Sequence, residues 1–107
     1  MFTHEREALK AVAQTLRERL SGKIVSVHAF GSRVRGNHDE WSDFDLLSIV
    51  EGRAPALEEE VVGIIVEEEM KKRLSFAPVV KDIRQFEMEK RFHTPFYENI
   101  VKEGVPL

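Results

Sequence analysis

Residues 30–50 constrain this chain more than any other segment, because they join two predicted strands through a glycine turn and a charged loop. The segment reads FGSRVRGNHDEWSDFDLLSIV. Residues 24–30 are rich in β-branched and aromatic side chains and are bounded by glycines, which predicts a strand. Residues 43–50 predict a second strand, which begins with two aspartates and continues with apolar residues. Two carboxylates at the start of an otherwise apolar strand are unusual, because charged groups are costly to place beside a hydrophobic core.

The two carboxylates lie on the same side of the second predicted strand. Side chains alternate along a strand, so Asp43, Asp45 and Leu47 share one face. Residues two apart are separated by roughly 7 Å along the strand, which lets their oxygens converge on a hard cation such as Mg²⁺ or Mn²⁺. Without a positive partner the two carboxylates would repel each other and resist desolvation. The spacing therefore predicts a divalent metal site at Asp43 and Asp45.

The glycine turn has the features of a phosphate-binding site. Gly31 follows the first predicted strand directly, where the backbone must turn sharply. Ser32 is a good N-cap for a short helical turn, whose backbone N–H groups can bind phosphate oxygens. Arg33 and Arg35 add positive charge for a polyphosphate. Gly-Ser turns and Asp-x-Asp strand ends are each common in ordinary loops, but together they are typical of phosphoryl or nucleotidyl transfer.

The hydrophobic spacing of the remaining sequence predicts four helices and one further strand. The helices are residues 5–21, 56–74, 84–91 and 95–103, and the strand is residues 76–81. Pro78 favours an edge position or a bulge for that strand. The residues of the second helix expected to face a sheet are Leu57, Val61, Ile64, Ile65, Met70 and Leu74. The element order predicts one domain over residues 1–107, of the α+β or two-layer α/β class.

Composition narrows the class of protein. Hydrophobic residues make up 42% of the chain and charged residues 33%, which is typical of a soluble globular domain. The net charge of −3 argues against general nucleic-acid binding, and the absence of cysteine excludes disulfides and thiolate metal sites. No apolar run approaches the length of a membrane span, and the first residues lack a signal-peptide pattern. We therefore expect a cytoplasmic protein without a membrane partner.

The segment GSRVRGNHDEWSDFDLL resembles the G-S-x-x-R-G…S-D-x-D-L signature of the minimal nucleotidyltransferase (MNT) family, in the DNA polymerase β-like superfamily. The likeness extends over nearly the whole chain, including the tail FYENIVKEGVPL. It implies a nucleotidyltransferase-like fold with a small mixed sheet flanked by helices. It also implies that Mg²⁺ binds the catalytic pair Asp43 and Asp45. The phosphates of an NTP, ATP by preference, would lie on Gly31 and Ser32, with Arg35 adding positive charge.

The sequence departs from the superfamily pattern at one position. A third carboxylate normally lies on the next strand and helps to activate the attacking hydroxyl. Aligned on Phe86, this position falls at about Ala77, and no acid lies between Ser75 and Lys81. Asp82 lies beyond and is expected to cap the following helix. The sequence therefore predicts a metal-binding pair of carboxylates without the usual base. Whether the protein is catalytically active is left open.

Two functions from different classes follow. The first is a Mg²⁺-dependent nucleotidyltransferase that transfers a nucleoside monophosphate, AMP by preference, from an NTP to a protein or other hydroxyl acceptor. MNT proteins commonly serve as antitoxins of small all-α HEPN proteins, which suggests such a partner. The second is a catalytically weak or inactive module that neutralises a partner by binding. The intact residues of the turn and the carboxylate pair favour the first, whereas Ala77 favours the second. A sensor without turnover and a homo-oligomer remain open.

Overall fold

The computed structural model of the chain describes residues 3–31, 34 and 43–107. The helices are α1 (Thr3–Arg19), α2 (Pro55–Lys72), α3 (Ile83–Phe92) and α4 (Pro95–Glu103). The strands are β1 (Ile24–Phe30), β2 (Phe44–Val50), β3 (Phe76–Asp82) and β4 (Val105–Pro106). Every predicted helix and strand is present with small shifts at its ends, and β4 is an addition. In this part of the chain no helix has the length and apolar character needed to cross a membrane.

The described strands form one mixed sheet in the order β3-β2-β1-β4. β1 is antiparallel to both β2 and β4, whereas β2 is parallel to β3. A parallel pair needs a crossover connection, and α2 supplies it. As a result the end of β1, the start of β2 and the start of β3 meet at the same end of the sheet. The α+β class and the mixed sheet flanked by helices are confirmed.

Helices cover both faces of the sheet. The main core lies between one face and the helices α1 and α2. A smaller cluster lies between the other face and the helices α3 and α4, and its buried members are Leu47, Ile49 and Ile100. Both faces of β2 are therefore covered, which explains why its sequence is continuously apolar after Asp45 except for Ser48. The domain therefore has three layers, with the sheet between two layers of helices.

α2 contacts the sheet through most of the predicted residues but not through Met70. The predicted residues that do reach the core are Leu57, Val61, Ile64, Ile65 and Leu74. Met70 is 78% exposed. It lies nine residues after Val61, which at about 100° per residue places it on the opposite side of the helix. Glu68 takes the inward position, with its Oε2 3.2 Å from Lys72 Nζ. The expectation that Met70 faces the sheet is therefore wrong.

β3 is an edge strand, as Pro78 predicted. The carbonyl of Ser75 accepts a hydrogen bond from the N–H of Phe44 on β2, at 2.9 Å. The next N–H along the strand, that of Phe76, donates to Glu69 Oε2 of α2 at 2.8 Å. Pro78 has no N–H to donate. At the start of this edge, the backbone donor of Phe76 is therefore already bound to α2, and residue 78 provides no backbone donor.

Candidate active site

The sheet topology brings Gly31 next to Asp45. Phe30, the last residue of β1, is the antiparallel partner of Asp45, the second residue of β2. Gly31 follows Phe30 directly, so the glycine turn begins beside the Asp45 side chain. Asp43 immediately precedes β2. The two features that the sequence placed at neighbouring strand ends therefore lie at the same end of the sheet.

The Asp45 carboxylate occupies the space beside Gly31 that a side chain on residue 31 would take. The backbone of Gly31 has φ +91°, in the region that favours glycine. A β-carbon built on Gly31 would overlap Asp45 Oδ2 and would lie 3.0 Å from Asp45 Cγ. A side chain at residue 31 would therefore strain the backbone and would require the Asp45 carboxylate to shift. The sequence predicted that Gly31 allows close approach of a ligand, and the structure adds that the Asp45 side chain lies beside this glycine.

Asp43 and Asp45 carry oxygen donors of the type that a hard cation prefers. Asp43 is exposed and Asp45 is half-buried, so both are accessible from the solvent-facing end of the sheet. No group of three or more His, Cys, Asp or Glu side chains suited to a metal ion occurs within residues 3–31, 34 and 43–107. Mg²⁺ is commonly held by one or two carboxylates, with water and substrate phosphates as the remaining ligands. Asp43 and Asp45 supply oxygen donors of this type.

Ala77 lies directly opposite Asp45 on the neighbouring strand. The parallel register of β2 and β3 pairs Asp45 with Ala77 and Leu46 with Pro78. The two paired residues point to the same face of the sheet. A carboxylate at residue 77 would therefore stand beside Asp45, but alanine offers no acid or base there.

Asp82 has a structural role at the far end of β3. It pairs in register with Val50, at the end of β2 that lies away from Asp45. Its Oδ1 accepts a hydrogen bond from the N–H of Arg84 at 2.8 Å, and its Oδ2 accepts one from the N–H of Arg53 at 2.8 Å. These backbone hydrogen bonds, that from Arg53 foremost, lower the pKa of Asp82. The prediction that Asp82 caps the following helix is confirmed.

The structure describes only some of the predicted phosphate-binding residues of the turn. Ser32 and Arg35 lie outside the described residues, as does Arg33. Val34 is helical and partly buried, and it packs against the main core. Val34 therefore contacts the same core that supports β1 and β2.

An aromatic and ionic cluster that the sequence did not predict lies on the same face of the sheet as Asp45. Phe30, the partner of Asp45, packs edge-to-face against Phe96 of α4, with ring centroids 5.7 Å apart. Lys81 Nζ lies 4.3 Å from the centroid of Phe96 and 2.7 Å from Glu89 Oε2. The Lys81 and Glu89 side chains are largely buried, at 16% and 14% exposure. The sequence signal that could have indicated this cluster is the alternation along β3, which places Ala77, Val79 and Lys81 on one face of the sheet.

His28 lies on β1 and belongs to a separate groove. Its Nε2 is 3.0 Å from Ser26 Oγ, and its ring centroid is 6.4 Å from that of Phe86. The groove has a volume of about 260 Å³, and Tyr97 also contributes to its wall. Burial, and to a smaller extent the charge of Arg17, lowers the pKa of His28. A neutral, hydrogen-bonded sheet histidine accounts for these observations.

Comparison with known proteins identifies the family of the domain. Residues 9–107 match the family described as nucleotidyltransferase domain. The match spans both strands of the candidate site and both aspartates. No curated protein matches the sequence.

Two solved structures share the fold. One is a chain from a crystal structure of a toxin–antitoxin with AMP-PNP, with 14% identity, a TM-score of 0.57, and coverage of 91% of this chain and 70% of that chain. The other is a candidate nucleotidyltransferase from Sulfolobus solfataricus, with 21% identity, a TM-score of 0.50, and coverage of 99% of this chain and 87% of that chain. At these identities the likeness is one of fold.

Proposed function

Because the chain belongs to the nucleotidyltransferase domain family, we propose that it binds an NTP with a divalent cation and transfers a nucleoside monophosphate to a hydroxyl acceptor. The phosphates would lie on the turn at Gly31 and Ser32, with Arg35 adding positive charge. Asp43 and Asp45 would hold Mg²⁺ or Mn²⁺. The observation that carries this proposal is the contact between Gly31 and the Asp45 carboxylate, which brings the turn and the carboxylate pair together.

The proposed reaction is an in-line displacement. The acceptor oxygen forms a bond to the α-phosphorus, the bond from the α-phosphorus to the bridging oxygen breaks, and pyrophosphate leaves. The cation supplies charge stabilisation for the phosphate oxygens. Asp45 would supply a carboxylate from a backbone position that its pairing with Phe30 and Ala77 fixes before the ligand binds. The hydroxyl proton must leave to a base, and Ala77 cannot accept it.

The nucleotide and the acceptor are proposed more specifically as ATP and a protein. The fold is shared with a chain from a toxin–antitoxin structure with AMP-PNP, an ATP analogue, which supports both choices. On this proposal the chain is the antitoxin of a small all-α HEPN-type toxin in the cytoplasm. A hydroxyl of that partner would receive AMP, and the partner could also contribute the missing base.

The test is a transfer assay that includes the product of a neighbouring gene. Both proteins are incubated with Mg²⁺ and each labelled NTP, and the mass of each is then measured. We expect the partner to gain the mass of AMP with wild-type protein and not with Asp45→Asn. Glu87→Gln, which neutralises an exposed carboxylate on α3, is the matched control and should retain transfer. The absence of any mass gain with wild-type protein, with all four NTPs, would contradict the enzymatic proposal.

A second candidate function is neutralisation of a partner by binding alone. The observation that favours it is Ala77 opposite Asp45, since the chain then lacks the carboxylate that would activate the acceptor. On this alternative, Asp45→Asn should neutralise the partner as well as the wild-type protein does, with or without ATP. Loss of neutralisation in Asp45→Asn, with the complex still formed, would favour the enzyme.

A further inference from the structure

Three of the described residues lie beside Asp45 at its end of the sheet. Phe30 and Ala77 are its partners on the neighbouring strands, and Gly31 lies against its carboxylate. Gly31 has no side chain, and Ala77 has only a methyl group. Opposed residues of an antiparallel pair have β-carbons roughly 4.5–5.5 Å apart, so the ring of Phe30 stands next to the Asp45 side chain. Of these neighbours, Phe30 is the one large enough to limit where that side chain can turn.

The ring of Phe30 is itself held by Phe96 of α4. The two rings meet edge to face, with their centroids 5.7 Å apart. Both residues are half-buried and pack against the cluster that contains Leu47 and Ile49, on this face of the sheet. Aromatic pairs favour this arrangement because the positive edge of one ring meets the negative face of the other. A loss of the Phe96 ring should therefore leave the ring of Phe30 free to move.

Phe96 is fixed in turn by the ion pair of Lys81 and Glu89. Lys81 Nζ lies 4.3 Å from the centroid of the Phe96 ring and 2.7 Å from Glu89 Oε2. The other carboxylate oxygen, Glu89 Oε1, accepts a hydrogen bond from the Thr94 hydroxyl at 3.0 Å. The same hydroxyl caps α4, because it accepts a hydrogen bond from the N–H of Tyr97 at 3.3 Å. Glu89 therefore connects β3 to the first turn of α4, which carries Phe96.

The pair of Lys81 and Glu89 is costly to bury. The two side chains are 16% and 14% exposed, so both charges have lost most of their contact with water. The attraction between two buried charges does not always offset this loss, and an apolar pair of similar volume is often as stable. A buried charge must nevertheless stay beside its partner, which fixes the geometry of the pair. The need to fix Phe96 would account for this pair, whereas a need for stability alone would not.

We propose that Phe96 is a positioning residue for Asp45. Its ring, held by Lys81 and Glu89, keeps the ring of Phe30 in place. Phe30 in turn restricts the Asp45 carboxylate to the orientation that a bound cation requires. This inference rests on the role proposed above for Asp45 as a metal ligand, and it identifies the side chains that organise the ligand before the metal binds.

Phe86 provides the matched control. It belongs to the same small cluster, and its ring centroid lies 5.4 Å from that of Tyr97 on α4. On the sheet it faces His28, with centroids 6.4 Å apart, rather than Phe30. Phe86→Leu should therefore weaken the packing of α4 on the sheet, as Phe96→Leu does, but it leaves the contact with Phe30 intact. A difference between the two variants then reports positioning rather than stability.

The test measures the χ1 rotamer of Asp45 by NMR in the metal-free protein, from three-bond couplings between the backbone and Cγ. We expect one dominant rotamer in the wild type and in Phe86→Leu, and a mixture of rotamers in Phe96→Leu. Thermal unfolding shows that each variant is folded when it is measured. A wild-type rotamer population in Phe96→Leu would overturn the proposal. The same mixture in both variants, or in the wild type itself, would also overturn it.

Substitution of the ion pair tests the same chain of contacts without a change to the Phe96 ring. The double variant Lys81→Met with Glu89→Gln removes both charges at nearly constant volume and leaves no charge of the pair buried alone. We expect it to mix the Asp45 rotamers, as Phe96→Leu does. Lys102→Met, which removes an exposed lysine of α4, should leave the rotamer unchanged. A wild-type rotamer population in the double variant would overturn the role assigned to the ion pair.

Binding of Mn²⁺, measured by electron paramagnetic resonance, separates this proposal from the proposed function. We expect Phe96→Leu to weaken Mn²⁺ binding severalfold and Phe86→Leu to leave it unchanged. A wild type that binds no Mn²⁺ would contradict the metal assignment, whereas the rotamer measurement would still decide whether Phe96 positions Asp45. Wild-type Mn²⁺ affinity in a Phe96→Leu protein with mixed Asp45 rotamers would overturn the positioning proposal, because the cation would then not depend on this orientation.

Discussion

The carboxylate of Asp45 fills the volume that a β-carbon on Gly31 would occupy. This contact places Gly31, the first residue of the predicted phosphate-binding turn, against one of the two predicted metal-binding carboxylates. A substitution at Gly31 should therefore displace the Asp45 side chain.

Gly31→Ala should destabilise the fold and displace Asp45. The substitution combines a positive φ, which costs alanine about 1 kcal/mol, with an overlap on the carboxylate. Gly22→Ala is the matched control, since Gly22 has φ +79° but its β-carbon would meet nothing within 4 Å. We expect urea unfolding to show a larger loss for Gly31→Ala than for Gly22→Ala. ATP affinity should fall only in Gly31→Ala, and equal losses of stability and affinity in the two variants would contradict the contact.

Divalent cations should raise the melting temperature of the wild-type protein. A ligand that binds the folded state alone stabilises it by mass action, by about 2.7 kcal/mol at a hundredfold excess over Kd. Asp45→Asn should abolish the rise with Mg²⁺ or Mn²⁺, whereas Glu87→Gln should retain it. Differential scanning calorimetry provides the measurement. A wild-type response in the double variant Asp43→Asn with Asp45→Asn would refute the metal assignment.

Ala77→Asp should increase nucleotide transfer. General-base assistance typically contributes a hundredfold or more to the rate, and residue 77 lies opposite Asp45. The new carboxylate should also lower the melting temperature without a cation, because it adds negative charge beside Asp45. Transfer and melting temperature are measured with and without Mg²⁺. An active wild type whose rate Ala77→Asp leaves unchanged would show that the acceptor or another residue supplies the base.

Ser48→Ala should stabilise the protein. Among the described residues, the Ser48 hydroxyl is buried and has no hydrogen-bond partner. Removing an unsatisfied buried polar group should raise the free energy of unfolding by about 1 kcal/mol. Ser26→Ala is the control, since the Ser26 hydroxyl is hydrogen-bonded to His28 and its loss should not stabilise. Urea denaturation measures both, and a destabilised Ser48→Ala would indicate a partner for that hydroxyl.

Stability should fall as the pH drops below 6.5 because of His28. Burial lowers its pKa in the folded state below the ordinary value of 6.5, so the unfolded chain binds more protons just below that pH. The contribution of His28 is therefore absent above pH 6.5 and becomes unfavourable as the pH falls toward the folded pKa. Urea unfolding at pH 7.5 and pH 5.5 measures it. His28→Gln should flatten this dependence.

The element boundaries were predictable because glycines mark them. Gly22, Gly31 and Gly52 all have positive φ and lie where α1, β1 and β2 give way to turns. β4 was not predictable, because two residues carry no periodic pattern. Its identity as a strand depends on pairing of Val105 with Ala29, far away in the sequence.

The sequence indicated candidate residues for the site but not the contacts between them. The motif indicated Gly31, Asp43 and Asp45, and counting from Phe86 indicated Ala77. No local pattern could show that Asp45 presses on Gly31, since that depends on the register of β1 and β2. Met70, by contrast, could have been assigned to the outer face from the sequence, because its spacing of nine residues from Val61 places it on the opposite side of the helix.

The blocked edge of β3 has a consequence for how this protein can assemble. A strand from another chain that added along β3 would find the N–H of Phe76 already bound to Glu69, and no N–H at Pro78. Growth of the sheet into a ladder shared by many molecules, the route to fibrils, is therefore obstructed at that edge.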